Sequence, residues 1–432
     1  MKTNTARVNT LKTHEGAPAK YINAEAQLKR SVLSCMLFEN EFYEDGKTIA
    51  ARITELAGSC SKEFVASLAV QARNQFNLRH VPLLLLLSLI KRGGAGVAEA
   101  IFATISRADE LSELVALYWK YNPEKPLSKQ MKLGLAKAFG KFNEYQFAKY
   151  NRKDSSVRLR DVLFLCHAKP TKDREDLYKR LANNQLENPD TWESRMAGGE
   201  NKKEVFTDLL ARKKLGYLAL LRNLRGMNEA GVDHALIKDG ILTGDHSRVL
   251  PFRFIAAARH APMFEPQLDT AMVSAMADAE KLKGKTVLLV DVSGSMDSQI
   301  SAKSDLKRCD AAAGLAILLA GICDDVRIFI FGTTVREVPA RKGMALRDLV
   351  AARNEGTFLG LAIGVVGQMD YDRLVVITDE QSHDRVPGPK GRGYMLNVAS
   401  ARNGVGYGPW VHIDGFSEAC VAFIREYENQ AD

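Results

Sequence analysis

Thr286-Val-Leu-Leu-Val-Asp291-Val-Ser293-Gly-Ser295-Met296 decides how this chain is read. Thr286 to Val290 are β-branched or leucine, the composition of a strand buried on both faces. The strand breaks at Ser293-Gly294, where glycine tolerates a strained backbone. Asp291, Ser293 and Ser295 alternate, so a nearly extended chain turns all three side chains to one side. One carboxylate and two hydroxyls are hard donors, suited to Mg²⁺ or Mn²⁺ rather than zinc. Taken alone, Asp-x-Ser-x-Ser also fits an ordinary serine-capped turn from strand to helix.

Two later segments weigh against that plainer reading. Asp372-Arg-Leu-Val-Val-Ile-Thr378-Asp379 is a second buried strand ending in an acid, and Glu355-Gly356-Thr357 lies in a loop opening an apolar helix, Phe358 to Met369. In an open parallel sheet, ligand groups gather outside the carboxyl ends of the strands. Asp291, Ser293, Ser295, Thr357 and Asp379 together resemble the metal-ion-dependent adhesion site of the von Willebrand factor A family. The resemblance implies a divalent cation, Mg²⁺ foremost, with a free coordination position for a carboxylate of an acidic protein ligand. It implies docking rather than catalysis. A Mg²⁺-dependent hydrolase needs a nucleophile, yet Ser-Gly-Ser-Met lacks the Gly-x-Ser-x-Gly elbow. An aspartyl-phosphate mechanism would fit Asp291, but residue 293 is serine where the haloacid-dehalogenase pattern has a second aspartate.

Around this segment, strands (286–291, 326–331, 373–378 and 394–399) alternate with helices (305–323, 344–353, 358–369 and 416–427). That alternation predicts a doubly wound α/β sheet. Upstream, Ala24 to Phe38, Phe64 to Asn74, Pro82 to Arg92, Val97 to Ser106, Met131 to Tyr150 and Leu215 to Met227 show apolar spacing of three and four. Short punctuation between them fits helix pairs stacked as a solenoid, without a clean repeat period. The chain of 432 residues therefore divides into a helical part, 1–280, and an α/β part, 281–432, with the boundary near Ala279-Glu-Lys-Leu-Lys-Gly284. Its longest apolar run, Val81 to Ile90, is half a bilayer span, and Met1 to Lys20 shows no apolar signal core. Six cysteines without Cys-x-x-Cys spacing point to reduced thiols. A cytoplasmic location with no membrane partner is the expectation.

Charge is uneven. Residues 1–280 carry 42 Lys+Arg against 33 Asp+Glu, a balance of +9, whereas 281–432 carry 18 against 19, a balance of −1. Basic clusters in the helical part include Lys149-Tyr-Asn-Arg152-Lys153, Lys202-Lys203 and Arg212-Lys213-Lys214. Such clusters bind phosphates through counterion release, or are solvated faces and helix-terminal charges; composition does not choose. His167, in Leu163-Phe-Leu-Cys166-His167-Ala-Lys-Pro170, reads equally as a packing histidine.

Gln27-Leu-Lys-Arg-Ser-Val-Leu-Ser-Cys-Met-Leu-Phe-Glu39 with Phe42-Tyr-Glu-Asp-Gly46, Lys149-Tyr150 through Asp161 to Pro170, Leu220-Leu-Arg222-Asn223-Leu224, Ile241-Leu through Leu250-Pro-Phe252 and Asp414 to Cys420 are similar to ordered landmarks of the TROVE-domain (Ro autoantigen) family. The resemblance covers nearly the whole chain. It implies a ring of HEAT-like helix pairs closed by a von Willebrand factor A domain, and RNA binding without catalysis. Small structured Y-type RNA would lie on a basic outer surface, and single-stranded 3′ ends of misfolded noncoding RNA in a central hole. A 3′ exoribonuclease such as polynucleotide phosphorylase is the implied partner. Lys149 and Lys153, with Arg152 the alternative to Lys153, match the family's Y RNA-contacting pair, and His167 a histidine of that surface. Between Lys153 and Asp161 the chain departs from the vertebrate pattern. Lys202, Lys203, Arg212, Lys213 and Lys214 are further RNA-facing candidates. The competing reading is a metal-dependent protein adaptor that ignores RNA.

Overall fold

The computed structural model describes residues 23–33, 46–123, 126–151, 155–247, 249–277, 279–300, 305–399, 409–415 and 418–431. Packing separates the chain into two bodies: Gln27–Val32 with Ile49–Leu209, and Leu210–Asp432 with Met1–Ala26 and Leu33–Thr48.

The first body is helical: α1 (Ala24–Val32), α2 (Gly46–Ser59), α3 (Lys62–Asn74), α4 (His80–Arg92), α5 (Val97–Thr104), α6 (Ala108–Tyr121), α7 (Lys129–Phe139), α8 (Glu144–Tyr150), α9 (Leu159–Leu165), α10 (Glu175–Ala182), α11 (Trp192–Ala197) and α12 (Lys202–Ala211). Helices α1, α2 and α12 reach past the body's limits by a few residues. The leucine run of α4 is buried on every side from Val81 to Ile90, as its unbroken hydropathy demands. The expected helix from Met131 to Tyr150 is two, α7 and α8. Asn143 accepts the Gln146 N–H at 2.9 Å while the Gln146 side chain accepts the Asn143 N–H at 2.9 Å. This capping box starts a new helix where periodicity alone reads straight through. The expected helix from Ala24 ends at Val32 as described, and residues 34–45, with Phe42 to Asp45 of the opening landmark, lie outside the described residues.

Helices pack on their second or third neighbours, α3 on α5 on α7 and α4 on α6 on α9, with α3 also against α4, which is the two-row arrangement of a HEAT-like solenoid. The α5–α7 contact depends on Gly134: a β-carbon there would stand 2.8 Å from Ile101 Cβ and 2.9 Å from the Ala98 carbonyl. Gly134→Ala is therefore expected to lower stability by about 1–2 kcal/mol in chemical denaturation, because overpacking outweighs the ~1 kcal/mol gain in helix propensity. An unchanged midpoint would mean that the two helices are free to separate.

Part of the basic surplus is structural. Arg92 donates to the Ala57 and Cys60 carbonyls at 3.0 and 2.9 Å, and Lys62 to the Gly93 carbonyl at 2.8 Å. Lys141 donates to Ile105 and Phe102, and Arg174 to Gly140 and Phe142. Each cation satisfies carbonyls left open at the end of a neighbouring helix, the negative pole of its dipole.

The second body contains α13 (Tyr217–Glu229), α14 (His234–Thr243), α15 (Pro251–His260) and α16 (Glu265–Ser274), then β1 (Leu282–Asp291), α17 (Arg308–Ile322), β2 (Cys323–Phe331), β3 (Val335–Val338), α18 (Gly343–Leu349), α19 (Leu359–Val366), β4 (Arg373–Thr378), β5 (Arg392–Asn397), β6 (Val411–Asp414) and α20 (Glu418–Ala431). The sheet order is β3-β2-β1-β4-β5-β6, the doubly wound order. All pairs are parallel except β2–β3. Strands β3 and β6, absent from the sequence reading, are four-residue edge strands. Leu289, Phe331, Ile363, Val376 and Trp410 are among the side chains of the core between the sheet and α19.

The change from helix to sheet falls between Ser274 and Leu282, and the packing division lies at Leu209–Leu210. Within the second body, α13, α15 and α17 stack in one row, and α14, α16 and α18 in another. Gly314 admits the Phe252 backbone to within 3.3 Å of a built β-carbon, and Arg259 grips Asp310 through both carboxylate oxygens at 2.7 Å. Among the described residues Cys60, Cys166, Cys309, Cys323 and Cys420 are buried; Cys35 lies outside them. No helix of the described residues is long and apolar enough to cross a membrane.

Candidate functional site

Strands β1 and β4 are hydrogen-bonded neighbours, and the order of connection reverses between them. Asp291 ends β1 and Asp379 follows the last residue of β4, so both acids leave the sheet at the topological switch point, where side chains converge on a ligand. Both are fully buried. One Asp291 oxygen accepts the Ser293 N–H at 2.8 Å and the other the Thr378 hydroxyl at 2.7 Å. The Ser293 and Ser295 hydroxyls stand 3.3 Å apart. Gly294 donates its N–H to the Glu355 carbonyl at 3.0 Å, which draws the loop of buried Thr357 against the Ser293–Ser295 turn. The His383 N–H holds the Thr357 carbonyl at 3.0 Å, and the His383 ring stacks on Phe358.

Asp379 Oδ2 accepts from the Arg308 guanidinium at 3.0 Å, in a pair exposed by only 1% and 0%. Its Oδ1 is buried with no hydrogen-bond partner. Burial and the neighbouring Asp379 charge raise the Asp291 carboxyl well above the ordinary carboxylate range. Burial likewise raises Asp379, against the pull of Arg308. An unpartnered buried oxygen, two crowded carboxylates and facing hydroxyls are a donor set that a hard divalent cation would relieve. Among the described residues no three His, Cys, Asp or Glu side chains cluster to hold a metal; a site here draws on hydroxyl oxygens. Arg308 and Thr378 escaped the sequence reading because neither motif spacing nor composition marks an arginine at a helix start as buried.

The RNA candidates lie elsewhere. Lys149 is exposed on the last turn of α8, its Nζ 5.8 Å from the rings of both Tyr145 and Tyr150. The Arg107 guanidinium lies 4.6 Å over Tyr150, and Tyr145 is 49% exposed. Two tyrosines thus alternate with two cations, a signal that the charge count alone missed. His167 is exposed just beyond α9, with φ 52°. Its N–H bonds the Phe164 carbonyl and that of Ala168 the Leu163 carbonyl, both at 3.2 Å. Glycine or asparagine usually fills such a left-handed helix end, and another residue there costs roughly 1–2 kcal/mol. Lys213 has the same geometry after α12, at φ 52°. Lys202 and Lys203 occupy the first turn of α12, where the helix dipole disfavours cations, and Arg212, Lys213 and Lys214 follow its end; all five are exposed. Arg152 and Lys153 lie outside the described residues.

A six-stranded sheet in this order, bearing Asp-x-Ser-x-Ser, threonine and aspartate loops at its switch point, defines a von Willebrand factor A-type domain following a helical solenoid. Residues 179–296 match the model of the TROVE domain, a span running from α10 to Met296 of the metal-loop motif. Telomerase protein component 1 of Mus musculus is 34% identical over 89 residues, 19% of this chain and 3% of that protein. The Rattus norvegicus protein is 33% identical over 89 residues, with the same coverage. The chain thus spans only a small fraction of the length of these relatives. The crystal structure of Deinococcus radiodurans Ro (RSR) protein superposes with a TM-score of 0.66 over 94% of this chain and 100% of that one, at 16% identity, a likeness of fold. The chain thus carries a TROVE-domain match over 179–296 and shares the fold of a Ro protein.

Proposed function

We propose that this protein is a noncatalytic RNA-binding scaffold. Small structured, Y-type RNA lies across the α8–α9 face, and single-stranded 3′ ends of misfolded noncoding RNA are held by the helical solenoid. The observation that carries the reading is the alternation of Tyr145, Lys149, Tyr150 and Arg107 beside an exposed, left-handed His167. Cations on such a face meet phosphates, and tyrosine rings offer faces to unpaired bases. Lys62, Arg92, Lys141 and Arg174 are spent on helix ends and Arg107 also pairs with Asp109, whereas Lys149 stands exposed beside two tyrosine rings. The TROVE-domain match over residues 179–296 supports the choice of RNA over other polyanions. The metal-loop set is proposed as a Mg²⁺-dependent dock for an acidic protein ligand, a 3′ exoribonuclease such as polynucleotide phosphorylase being the partner class that joins both halves of the reading. Cytoplasmic residence belongs to the same proposal.

A mobility-shift titration with a hairpin RNA bearing a single-stranded 3′ tail tests this. Affinity is expected to fall steeply with salt, by a log–log slope of about −0.7 per phosphate neutralised on a single strand. Lys149→Ala should flatten the slope by about one such contact and weaken all RNAs alike. A slope near zero, or full indifference to RNA, would leave a protein-only adaptor as the surviving reading.

A further inference from the structure

Arg308 stands on the same carboxylate that the cation needs. It is the largest fully buried side chain among the described residues. Besides Asp379 it reaches the Ser295 carbonyl at 3.5 Å, so one guanidinium touches both halves of the metal-loop set. Among the described charges nearby, Asp310 pairs with Arg259 and Asp297 with Lys307, Glu380 bonds the His412 ring, and Glu355 bonds Thr333. Asp291, Asp379 and Arg308 are the charges buried together at the centre. Arginine keeps its proton in any protein environment. With both carboxylates ionised the trio therefore carries one net negative charge, where the carboxylates alone would carry two. A divalent cation turns the charge of this trio positive at a site whose two carboxylates are fully buried, which is unfavourable until an anion joins it.

We infer that Arg308 makes cation binding and acidic-ligand binding mutually dependent: the guanidinium weakens the site for a bare cation and strengthens it for a cation carrying a carboxylate. The inference rests on the metal reading of Asp291, Ser293, Ser295, Thr357 and Asp379, and adds a positioning residue to it. Linkage requires that the cation and the carboxylate raise each other's affinity by one common factor, typically about 5–150-fold.

The test is Mn²⁺ titration of the full chain, followed by electron paramagnetic resonance of free Mn²⁺, with and without acetate as the carboxylate probe. In the unaltered protein acetate should tighten Mn²⁺ by about tenfold or more. Arg308→Gln should bind Mn²⁺ about tenfold tighter without acetate, with the acetate effect reduced to within about twofold. Arg308→Lys, which keeps the charge, should restore the dependence on acetate. Near-UV circular dichroism identifies which variants are folded, and Arg308→Met replaces the glutamine variant if that one is not. An acetate effect equal in the unaltered protein and the neutral variants overturns the inference while leaving the metal site standing. Absence of Mn²⁺ binding by the unaltered protein, even with acetate, overturns the metal reading itself.

Discussion

Replacing Asp291 with alanine is expected to abolish divalent-cation binding, weakening it by about 100-fold or more, while RNA affinity stays within about twofold. The size follows from the donor set: Mg²⁺ in such a site relies on one or two carboxylates, and the hydroxyls of Ser293, Ser295 and Thr357 cannot replace a charge. Even an outer partner of a metal ligand is worth about 10–100-fold. The fold should survive. Removing the carboxylate leaves the Ser293 N–H and the Thr378 hydroxyl without their acceptor, a loss of about 1–3 kcal/mol for each buried group. Relief of the repulsion between the two buried acids offsets part of it. Asp291→Asn retains the shape and an acceptor, so it should show the same metal loss with a smaller drop in melting temperature. Asp379→Ala should lose the metal as well, but it strands Arg308 as a buried charge and is the less clean variant. Calorimetric titration with Mg²⁺ and a mobility shift on one preparation decide the matter. Collapse of RNA binding in folded, metal-deficient protein would refute the division between a metal dock and a separate RNA face.

Strands β1 and β4 were readable because a parallel strand covered on both faces is an uninterrupted apolar run, and each ends in an acid. Edge strand β3, Val335-Arg-Glu-Val, has no such run: its middle residues are exposed and β2 covers only one side. The break between α7 and α8 was hidden because apolar spacing continues across it, and only the Asn143–Gln146 reciprocal bonds mark the restart. Charge was legible as a total and illegible as a role. Arg92 and Lys141 look like RNA-facing residues until their carbonyl acceptors, more than 30 positions away in the chain, are seen. The site itself was written in the spacing of Asp291, Ser293 and Ser295, since those donors lie on one short turn. Arg308 was not, because its meeting with Asp379 depends on how α17 crosses the sheet.

At the other end of that sheet, Glu428→Ala is expected to destabilise the second body by about 3–5 kcal/mol, the cost of breaking a buried ion pair from one side. Arg373 opens β4 and Asp379 follows its close, which puts a six-residue strand, about 20 Å, between this pair and the metal loops. The Arg373 and Glu428 side chains are 4% and 9% exposed and meet through two parallel bonds, with Arg373 Nε donating to Glu428 Oε1 at 2.8 Å. Arg373 also donates to the Thr286 hydroxyl at 2.9 Å, and the Tyr394 hydroxyl donates to Glu428 at 3.0 Å. Burial, reinforced by Glu428, raises the Tyr394 hydroxyl above its ordinary range, so it remains a donor. Without Glu428, Arg373 keeps its charge in an apolar setting with one neutral acceptor, and Tyr394 loses its partner. Arg373→Met combined with Glu428→Leu removes both charges and should cost less than Glu428→Ala alone, because neither member is left stranded. Chemical denaturation of the single and double variants measures this coupling. A double variant as unstable as the sum of the two singles would show that the pair acts only by filling space, and Mn²⁺ binding lost in a still-folded Glu428→Ala protein would show that the two ends of the sheet are not independent.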